Sequence, residues 1–159
     1  LSVQSHEHQL SVKSVRRYVN KVLRDDLRDP FKHYSARERH LLLAFVRGEV
    51  VGMVAVVIPE HGDARTGDVA IELKRLCVAS GHRGQGIGRR LLQSAMGLCA
   101  TNSHSQDVLQ HRSLVATTLD ALTEAKQLYL SEGFDETKRE AIDEDQCVLV
   151  TYTKTLWPC

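Results

Sequence analysis

The stretch that most constrains the fold is a strand-like segment that leads into a cluster of glycines. Residues 70–78 (AIELKRLCV) have the composition of a strand, and the glycine-rich residues 81–90 (GHRGQGIGRR) follow almost at once. Apolar residues then recur at helical spacing to about Ala100, and residues 113–117 (SLVAT) again indicate a strand. Because strand–helix–strand crossovers are nearly always right-handed, we expect these two strands to be parallel neighbours.

Periodic apolar residues elsewhere predict two more helices and four more strands. One helix covers residues 14–27 and ends near Pro30, and the inner face of the other carries Leu122, Ala125, Leu128 and Tyr129. The strands are predicted at residues 40–47, 50–58, 134–138 and 146–153, the first two as a hairpin. The predicted fold class is α/β (α+β): a single domain over residues 1–159, with a mixed sheet of six to seven strands and helices on both faces.

Composition and charge exclude several classes of protein. The 159 residues are 42% hydrophobic and 26% charged, with a formal net charge of +1, so no overall charge drives binding to nucleic acid or anionic membranes. The longest apolar run, Val50–Ile58, is too short to span a bilayer.

Cysteine and histidine spacing gives no disulfide framework and no metal site. The four cysteines form no CxxC pair, and no third ligand lies near the His6 and His8 pair. We therefore expect reduced, mostly buried thiols in a cytoplasmic protein. The chain begins at Leu1 rather than at a methionine, which leaves room for an upstream anchor or targeting segment.

Glycines that lead into a helix suggest a phosphate site, because backbone N–H groups at a helix N-terminus attract anions. The P-loop pattern fails because Ile87 stands where lysine is required. The dinucleotide pattern GxGxxG fails because Arg89 occupies the third glycine position. The pattern that fits is Arg83-x-x-Gly86-x-Gly88. It resembles the acyl-CoA-binding turn, [RQ]xxGx[GA], of the GCN5-related N-acetyltransferase (GNAT) superfamily.

Two further segments agree with this resemblance, which covers about residues 39–154. Glu72 lies eleven residues before Arg83, where relatives of this kind carry a general base. Residues 125–134 (AKQLYLSEGF) resemble the family's AxxLYxxxGF segment, in which the tyrosine, here Tyr129, faces the thiol of coenzyme A.

The resemblance implies that acetyl-CoA is the co-substrate, with no metal required. Backbone N–H groups of the turn would hold its pyrophosphate, and the strand before the turn would bind the pantetheine amides. One position departs from the family: Leu122 replaces a common asparagine, and Thr118 could supply the polar contact instead. The cofactor-binding residues implied are Leu76, Cys77, Val78, Arg83, Gly84, Gln85, Gly86, Ile87, Gly88, Arg89, Thr118 and Tyr129.

The implied reaction is direct acetyl transfer to a primary amine in a ternary complex. Coenzyme A would lie where the two parallel strands diverge, completing them like an added strand. Glu72, directly or through water, would take the proton of the amine. The N–H of Val78 would stabilise the thioester oxygen, and Tyr129 would protonate the departing thiolate.

The resemblance implies a small-molecule or peptide amine as the acceptor, which in this family lies among the first helices, the loop after them and the loop between the last two strands. Carboxylates in both places would suit a cationic amine such as a polyamine or a basic peptide, but solvated loops are the simpler explanation of them. They are Asp25, Asp26, Asp29, Glu140, Asp143, Glu144 and Asp145. We expect no nucleic-acid partner and no membrane span in this chain, and a homodimer is compatible with the sequence.

Each assignment leaves an alternative open. The glycine cluster could be only a tight turn, Glu72 a solvated edge charge and Tyr129 a core residue. Cys77 is predicted to be a small buried residue rather than a nucleophile. The main alternative function is a non-catalytic acyl-CoA-binding or sensing protein of the same fold. An interaction module, or a nucleic-acid-binding protein that uses the arginines of the turn, would be of another class.

Overall fold

The computed structural model of the chain describes residues 16–17, 19–20, 23–36, 38–59, 61, 68–101, 112–141 and 148–156. In chain order the elements are α1 (Pro30–His33), β1 (Arg39–Val46), β2 (Glu49–Val57), β3 (Val69–Val78), α2 (Ile87–Thr101), β4 (Arg112–Leu119), α3 (Thr123–Ser131), β5 (Asp135–Ala141) and β6 (Val148–Leu156). A short 3-10 turn, Ser80–His82, lies between β3 and α2.

Six strands form one mixed sheet in the order β1-β2-β3-β4-β6-β5. The strands β3 and β4 run parallel, and every other neighbouring pair in this order is antiparallel. The helix α2 lies between β3 and β4 in the chain. This confirms the predicted strand–helix–strand unit and a strand number within the expected range.

One face of the sheet, which we call the core face, packs against α2 and α3. Successive side chains of a strand point to opposite faces, and the buried Ile71 and Leu73 of β3 therefore share this face. The register extends it through Ala116, which pairs with Leu73, to Tyr152, which pairs with Ala116. The other face, which we call the outer face, carries Glu72 and Lys74 of β3.

A β-bulge interrupts β3 at Arg75. On the β2 side, Ala55 pairs with Lys74 and Met53 with Cys77, so Val54 lies opposite two residues, Arg75 and Leu76. Arg75 has a φ of 58°, in the left-handed region that residues other than glycine seldom occupy. The bulge reverses which side chains of β3 face the core, because it inserts one residue into the alternation.

The strands β3 and β4 part immediately before this bulge. Their pairing runs from Val69 and Arg112 to Leu73 and Ala116. Within the described residues they form no pair beyond that point, although β3 continues to Val78 and β4 to Leu119. A cleft therefore opens between the carboxyl-terminal halves of the two parallel strands.

Two helix expectations differ from the structure. Residues 16–17, 19–20 and 23–24 are helical as expected, but Pro30 begins α1 rather than merely ending a helix. Proline suits the first helical turn because its fixed φ is already helical and its missing N–H is not needed there. The expectation that Leu122 lies on the inner face of α3 is wrong: it is the N-cap residue, outside the helical turns, and is 44% exposed.

Candidate active site

The turn between β3 and α2 has the backbone geometry of an anion cradle. Gly84 and Gly86 have φ values of 73° and 74°, which glycine adopts without steric cost. The N–H of Arg90 donates to the carbonyl of Gly86 at 3.0 Å, which begins the hydrogen bonding of α2. The preceding N–H groups are those that a helix leaves without an intrahelical partner. Among the described residues, a Cβ on Gly86 would meet no atom within 4 Å, so this side of the turn is open.

The last residues of β3 turn backbone groups toward the cleft. The N–H of Ala79 donates to the carbonyl of Val51 in β2 at 2.8 Å. Because successive residues of a strand direct their N–H and C=O groups to opposite edges, those of Val78 and Leu76 are directed away from β2, toward the cleft. The Nε of Arg83 donates to the Val78 carbonyl at 3.1 Å. By the same alternation, the backbone of Cys77 is directed to β2.

Glu72 lies on the outer face close to the point where the cleft opens. It pairs with Val115 of β4, one residue before the last pair of the parallel ladder. Its side chain is 53% exposed, and its Oε2 lies 2.9 Å from the Nζ of Lys74. The carboxylate is therefore accessible from solvent beside the cleft, in an ion pair with a neighbour on the same face.

Tyr129 lies on the core face, near the same end of the ladder. The residue is 5% exposed, and its ring stacks on that of Tyr152 with centroids 5.6 Å apart. Tyr152 pairs with Ala116, the last residue of β4 that pairs with β3. Glu72 and Tyr129 thus lie on opposite faces of the sheet, on either side of the place where β3 and β4 separate.

The remaining predicted cofactor residues differ in their surroundings. Arg89 forms an ion pair with Glu132, at the end of α3, with Nε and Oε1 2.8 Å apart. Gln85 accepts a hydrogen bond from the guanidinium of Arg90 through its carbonyl at 3.2 Å. A Cβ on Gly88 would contact the side chains of Val78 and Leu128 at 3.7 and 3.5 Å, the latter on α3. Ile87 is buried in the core, whereas the half-buried Thr118 lies beyond the last β3–β4 pair.

The expectation that Cys77 is buried is wrong, because the residue is exposed. The bulge explains the error: Leu76 and Val78 pack against the core after it, so Cys77 faces outward. Desolvation of the sulfur still raises the pKa of the Cys77 thiol, while a hydrogen bond with the backbone of Met53 and the charge of Arg83 offset part of the increase. A raised pKa favours the thiol over the nucleophilic thiolate.

Cys99 is buried as expected, and burial raises its pKa to about 11. Cys147, Cys159, His6 and His8 lie outside the described residues. Within the part of the chain that the structure describes, no three histidine, cysteine or acidic residues are grouped to hold a metal ion. No helix in this part is both long enough and apolar enough to cross a membrane.

A buried cluster of Asp26, Arg75 and Tyr34 was not predicted from the sequence. The Nε of Arg75 donates to both carboxylate oxygens of Asp26, at 3.0 and 2.9 Å, and the hydroxyl of Tyr34 donates to the same carboxylate. Burial alone would raise the pKa of Asp26, but the hydrogen bonds from Arg75 and Tyr34 outweigh it and lower that pKa. The signal was present: Lys74 and Arg75 are consecutive charged residues in an otherwise alternating strand.

Three of the carboxylates proposed to attract a cationic acceptor have partners within the chain. Asp26 is 3% exposed and its charge is paired with Arg75. Asp29 caps α1 by accepting the N–H of Lys32 at 3.1 Å. Glu140 pairs with Lys138 at 2.6 Å, and residues 143–145 lie outside the described residues.

Comparison with known proteins gives the family. Residues 37–136 match the model described as an acetyltransferase (GNAT) domain. The chain is 33% identical over 135 residues to N-acetyltransferase 8 of Mus musculus, covering 84% of this chain and 56% of that protein. It spans about half the length of the curated relatives that it matches.

Two solved structures show the same fold. An acetyltransferase of the GNAT family from Staphylococcus aureus MU50 has a TM-score of 0.65 at 19% identity, covering 98% of this chain and 94% of that chain. Arabidopsis thaliana Naa50, in complex with the bisubstrate analogue CoA-Ac-MVNAL, has a TM-score of 0.57 at 20% identity, covering 73% and 72%. With the matching family model, sheet order and glycine turn, these comparisons establish that the chain belongs to the GNAT family of acetyltransferases.

Proposed function

We propose that this chain transfers an acetyl group from acetyl-CoA to a primary amine, directly and within a ternary complex. One observation carries the proposal: the cleft between β3 and β4 has a glycine turn at the end of β3, with Glu72 on one side and Tyr129 on the other. A bound thioester in this cleft would have a carboxylate on the acceptor side and a phenol on the thiol side.

Backbone groups would bind most of the cofactor. The N–H groups of residues 84–88 would hold the pyrophosphate, helped by the positive end of the α2 dipole. The cleft-facing groups of Leu76 and the carbonyl of Val78 would hydrogen-bond the pantetheine amides as a strand would, which leaves the N–H of Val78 for the thioester oxygen. The backbone of Cys77 is directed to β2, so Cys77 would not hydrogen-bond the pantetheine. Its pairing with β2 would instead hold Leu76 and Val78 in position.

Glu72 and Tyr129 would account for both proton transfers of the reaction. The amine nitrogen attacks the thioester carbon, and Glu72, directly or through water, takes the proton that the nitrogen loses. The N–H of Val78 stabilises the negative oxygen. When the carbon–sulfur bond breaks, Tyr129 gives its proton to the thiolate, which leaves an amide, free coenzyme A, a protonated Glu72 and an ionised Tyr129. Exchange with solvent then restores both side chains.

The acceptor would approach from the outer face, where Glu72 is exposed. The carboxylates available to attract a cation are fewer than the sequence indicates, because Asp26 is paired and Asp29 is a helix cap. A peptide α-amine is therefore as well supported as a polyamine, and the Naa50 complex carries an acetylated peptide, MVNAL, on its coenzyme A. A cytoplasmic location and a homodimer stay predictions.

The second candidate is a protein that binds acyl-CoA without transferring the acyl group. Two observations favour it. Glu72 forms an ion pair with Lys74, and the ring of Tyr129 packs against those of Phe134 and Tyr152 in the core. Such a protein would use the same turn and cleft to bind the cofactor, but it would not need a proton acceptor on the outer face.

Calorimetry with acetyl-CoA, followed by a thiol-release assay, separates these candidates. The acceptor panel would be spermidine, an aminoglycoside, the peptide MVNAL and a peptide with a lysine side chain and a blocked N-terminus. Binding with acetyl-CoA-dependent release of thiol for one amine supports the transferase. Binding with no release across the panel favours the sensing protein, and absence of binding contradicts both.

A further inference from the structure

We propose that Arg75 is a positioning residue, which holds the acceptor side of the active site against the strand that binds the acyl donor. It does so through Asp26 and Tyr34, which belong to the N-terminal segment of residues 23–36. The proposal rests on the proposed function, because it takes this segment, which is joined to β3 between Glu72 and Val78, as the wall that an acceptor amine would meet.

The position of Arg75 in β3 is the first argument. Glu72, the proposed base, lies three residues before it, and Val78, the proposed donor to the thioester oxygen, lies three residues after it. Arg75 lies in the bulge, shortly after the last residue of β3 that pairs with β4. It therefore marks where β3 becomes the edge of the cleft, while its pairing with β2 continues. Any shift here would move the base relative to the thioester.

The geometry of the ion pair is the second argument. One nitrogen of Arg75 bonds both oxygens of Asp26, and the two side chains are only 13% and 4% exposed. The hydroxyl of Tyr34 bonds the same carboxylate, so Asp26 is held from two directions. Asp26 lies in the turn between the helical residues 23–24 and α1, and the cluster therefore ties both helical parts of this segment to β3.

The energetic cost of this arrangement is the third argument. A buried ion pair adds little net stability, because removing two charges from water offsets much of their attraction. A left-handed arginine adds backbone strain, which persists where surrounding contacts enforce it and which clusters at functional sites. An apolar contact would join the two segments at lower cost, but it would not fix their distance and orientation as a hydrogen-bonded pair does.

The chain contains a control cluster that likewise joins a carboxylate, an arginine and a tyrosine. Glu136 on the edge strand β5 accepts from the guanidinium of Arg139 at 3.1 Å and from the hydroxyl of Tyr152 at 3.4 Å. Glu136 and Arg139 are exposed and lie only three residues apart, whereas Asp26 and Arg75 are separated by 49 residues. Loss of this second cluster would leave the relation of the N-terminal segment to β3 unchanged.

The test compares Asp26→Asn, Arg75→Lys and Tyr34→Phe with Glu136→Gln in the full chain. For each protein we would measure acetyl-CoA affinity by calorimetry, and kcat and KM with the panel amine that the unaltered protein acetylates fastest. We expect Asp26→Asn to lower kcat/KM for the amine about 10²-fold, the usual cost of a misplaced reactant, with acetyl-CoA affinity nearly unchanged. Arg75→Lys and Tyr34→Phe should show the same selectivity with smaller losses, and Glu136→Gln neither loss.

A double variant, Asp26→Leu with Arg75→Met, addresses the case in which Asp26→Asn does not fold. Because no unpaired charge is then left in the interior, we expect replacement of both charges by apolar groups to preserve folding without the hydrogen bonds. If it then acetylates as well as the unaltered chain, the cluster is only structural and the proposal is wrong. Equal losses of donor affinity and acceptor kcat/KM in the folded variants would also overturn it. If the unaltered protein itself does not bind acetyl-CoA, the proposed function fails first.

Hydrogen exchange supplies a readout that needs no acceptor. With acetyl-CoA bound, the amides of residues 23–36 should exchange faster in Arg75→Lys than in the unaltered chain, while those of β4 stay the same. Unchanged exchange in residues 23–36 would mean that Arg75 does not hold this segment, whether or not any amine in the panel is acetylated.

Discussion

The proposed donor side and the proposed acceptor side of the candidate site are built in different ways. On the donor side, the end of β3, the glycine turn and the start of α2 follow one another within residues 76–89, and the turn is shaped by the local backbone. On the acceptor side, residues 23–36 meet β3 through an ion pair between residues 49 positions apart. The backbone proposed to bind the cofactor is therefore specified by a short continuous sequence, whereas the proposed acceptor side depends on a tertiary contact.

The strand β3 serves both sides, and the bulge divides it. Before the bulge it pairs with β4 and carries Glu72; after it, the strand is free of β4 and offers its backbone to the cleft. If this division is functional, changes in the glycine turn should affect acetyl-CoA binding, and changes beside the thioester or on the acceptor side should affect turnover. Each of the following predictions tests one part of that separation.

The largest effect is expected for Gly86→Asp. The substitution places a negative side chain beside the proposed phosphate site, and it strains a backbone with a φ of 74°. We expect calorimetry to detect no acetyl-CoA binding by the folded variant. Gly48→Asp is the matched control, because Gly48 has a φ of 85° and similar open space in the hairpin turn between β1 and β2. Normal binding by Gly86→Asp would show that the turn holds no phosphate.

Glu72→Gln should leave acetyl-CoA affinity intact and lower kcat by about 10²–10⁴-fold, the usual contribution of a general base. Glutamine keeps the size of the side chain but cannot accept the proton. Glu49→Gln, which changes another exposed strand residue, should have normal turnover. Turnover close to normal in Glu72→Gln would assign the proton transfer to water or to another group.

Tyr129→Phe tests the thiol side of the cleft. The ring would keep its packing on Phe134 and Tyr152, but the proton for the thiolate would be lost, which we expect to lower kcat about 10²-fold. The defect should shrink with thioesters whose thiol is a better leaving group, since these need less protonation. Tyr152→Phe removes a neighbouring hydroxyl and should show no such dependence. Full activity in Tyr129→Phe would make the tyrosine a packing residue.

The sequence was most informative where the site is local. The hairpin, the strand–helix–strand unit and the turn were predicted because periodicity and glycine spacing are properties of neighbouring residues. The exposure of Cys77 and the role of Arg75 were missed for one shared reason: a single inserted residue reverses the alternation of β3. The pairing of Asp26 with Arg75 depends on how the N-terminal segment lies on the sheet, which no local pattern encodes.

The contribution of Tyr34 to the free energy of unfolding should depend on pH in the alkaline range. Burial and the hydrogen bond to Asp26 raise the pKa of Tyr34, so the folded protein keeps the phenol protonated where the unfolded chain begins to ionise it. The stabilisation is complete below a pH of about 10, the ordinary tyrosine value, and is lost as the pH rises above it. Tyr34→Phe should lower the free energy of unfolding by about 2 kcal/mol at pH 8, since it removes a hydrogen bond to a charged group.

That deficit relative to the unaltered chain should shrink by about 1.4 kcal/mol between pH 9 and pH 11, because phenylalanine cannot ionise in the unfolded state. Denaturant titrations at the two pH values measure both quantities. A deficit that stays constant over this range would mean that the Tyr34 phenol is not held protonated by its surroundings. Neither result alters the donor side, so acetyl-CoA affinity at pH 8 should be the same in both proteins.

The smallest effect separates the two arginines of the donor side. Arg83 donates to the Val78 carbonyl at the edge of the cleft, whereas Arg89 is engaged by Glu132. Both guanidinium groups are exposed, and an exposed ionic contact contributes at most about 1 kcal/mol, or roughly fivefold in affinity. We expect Arg83→Ala to weaken acetyl-CoA binding by about that factor and Arg89→Ala to weaken it less, in calorimetry at low salt. A larger loss in Arg89→Ala than in Arg83→Ala would mean that acetyl-CoA draws Arg89 away from Glu132, and the phosphate site would then include the Arg89 side chain as well as the backbone of the turn.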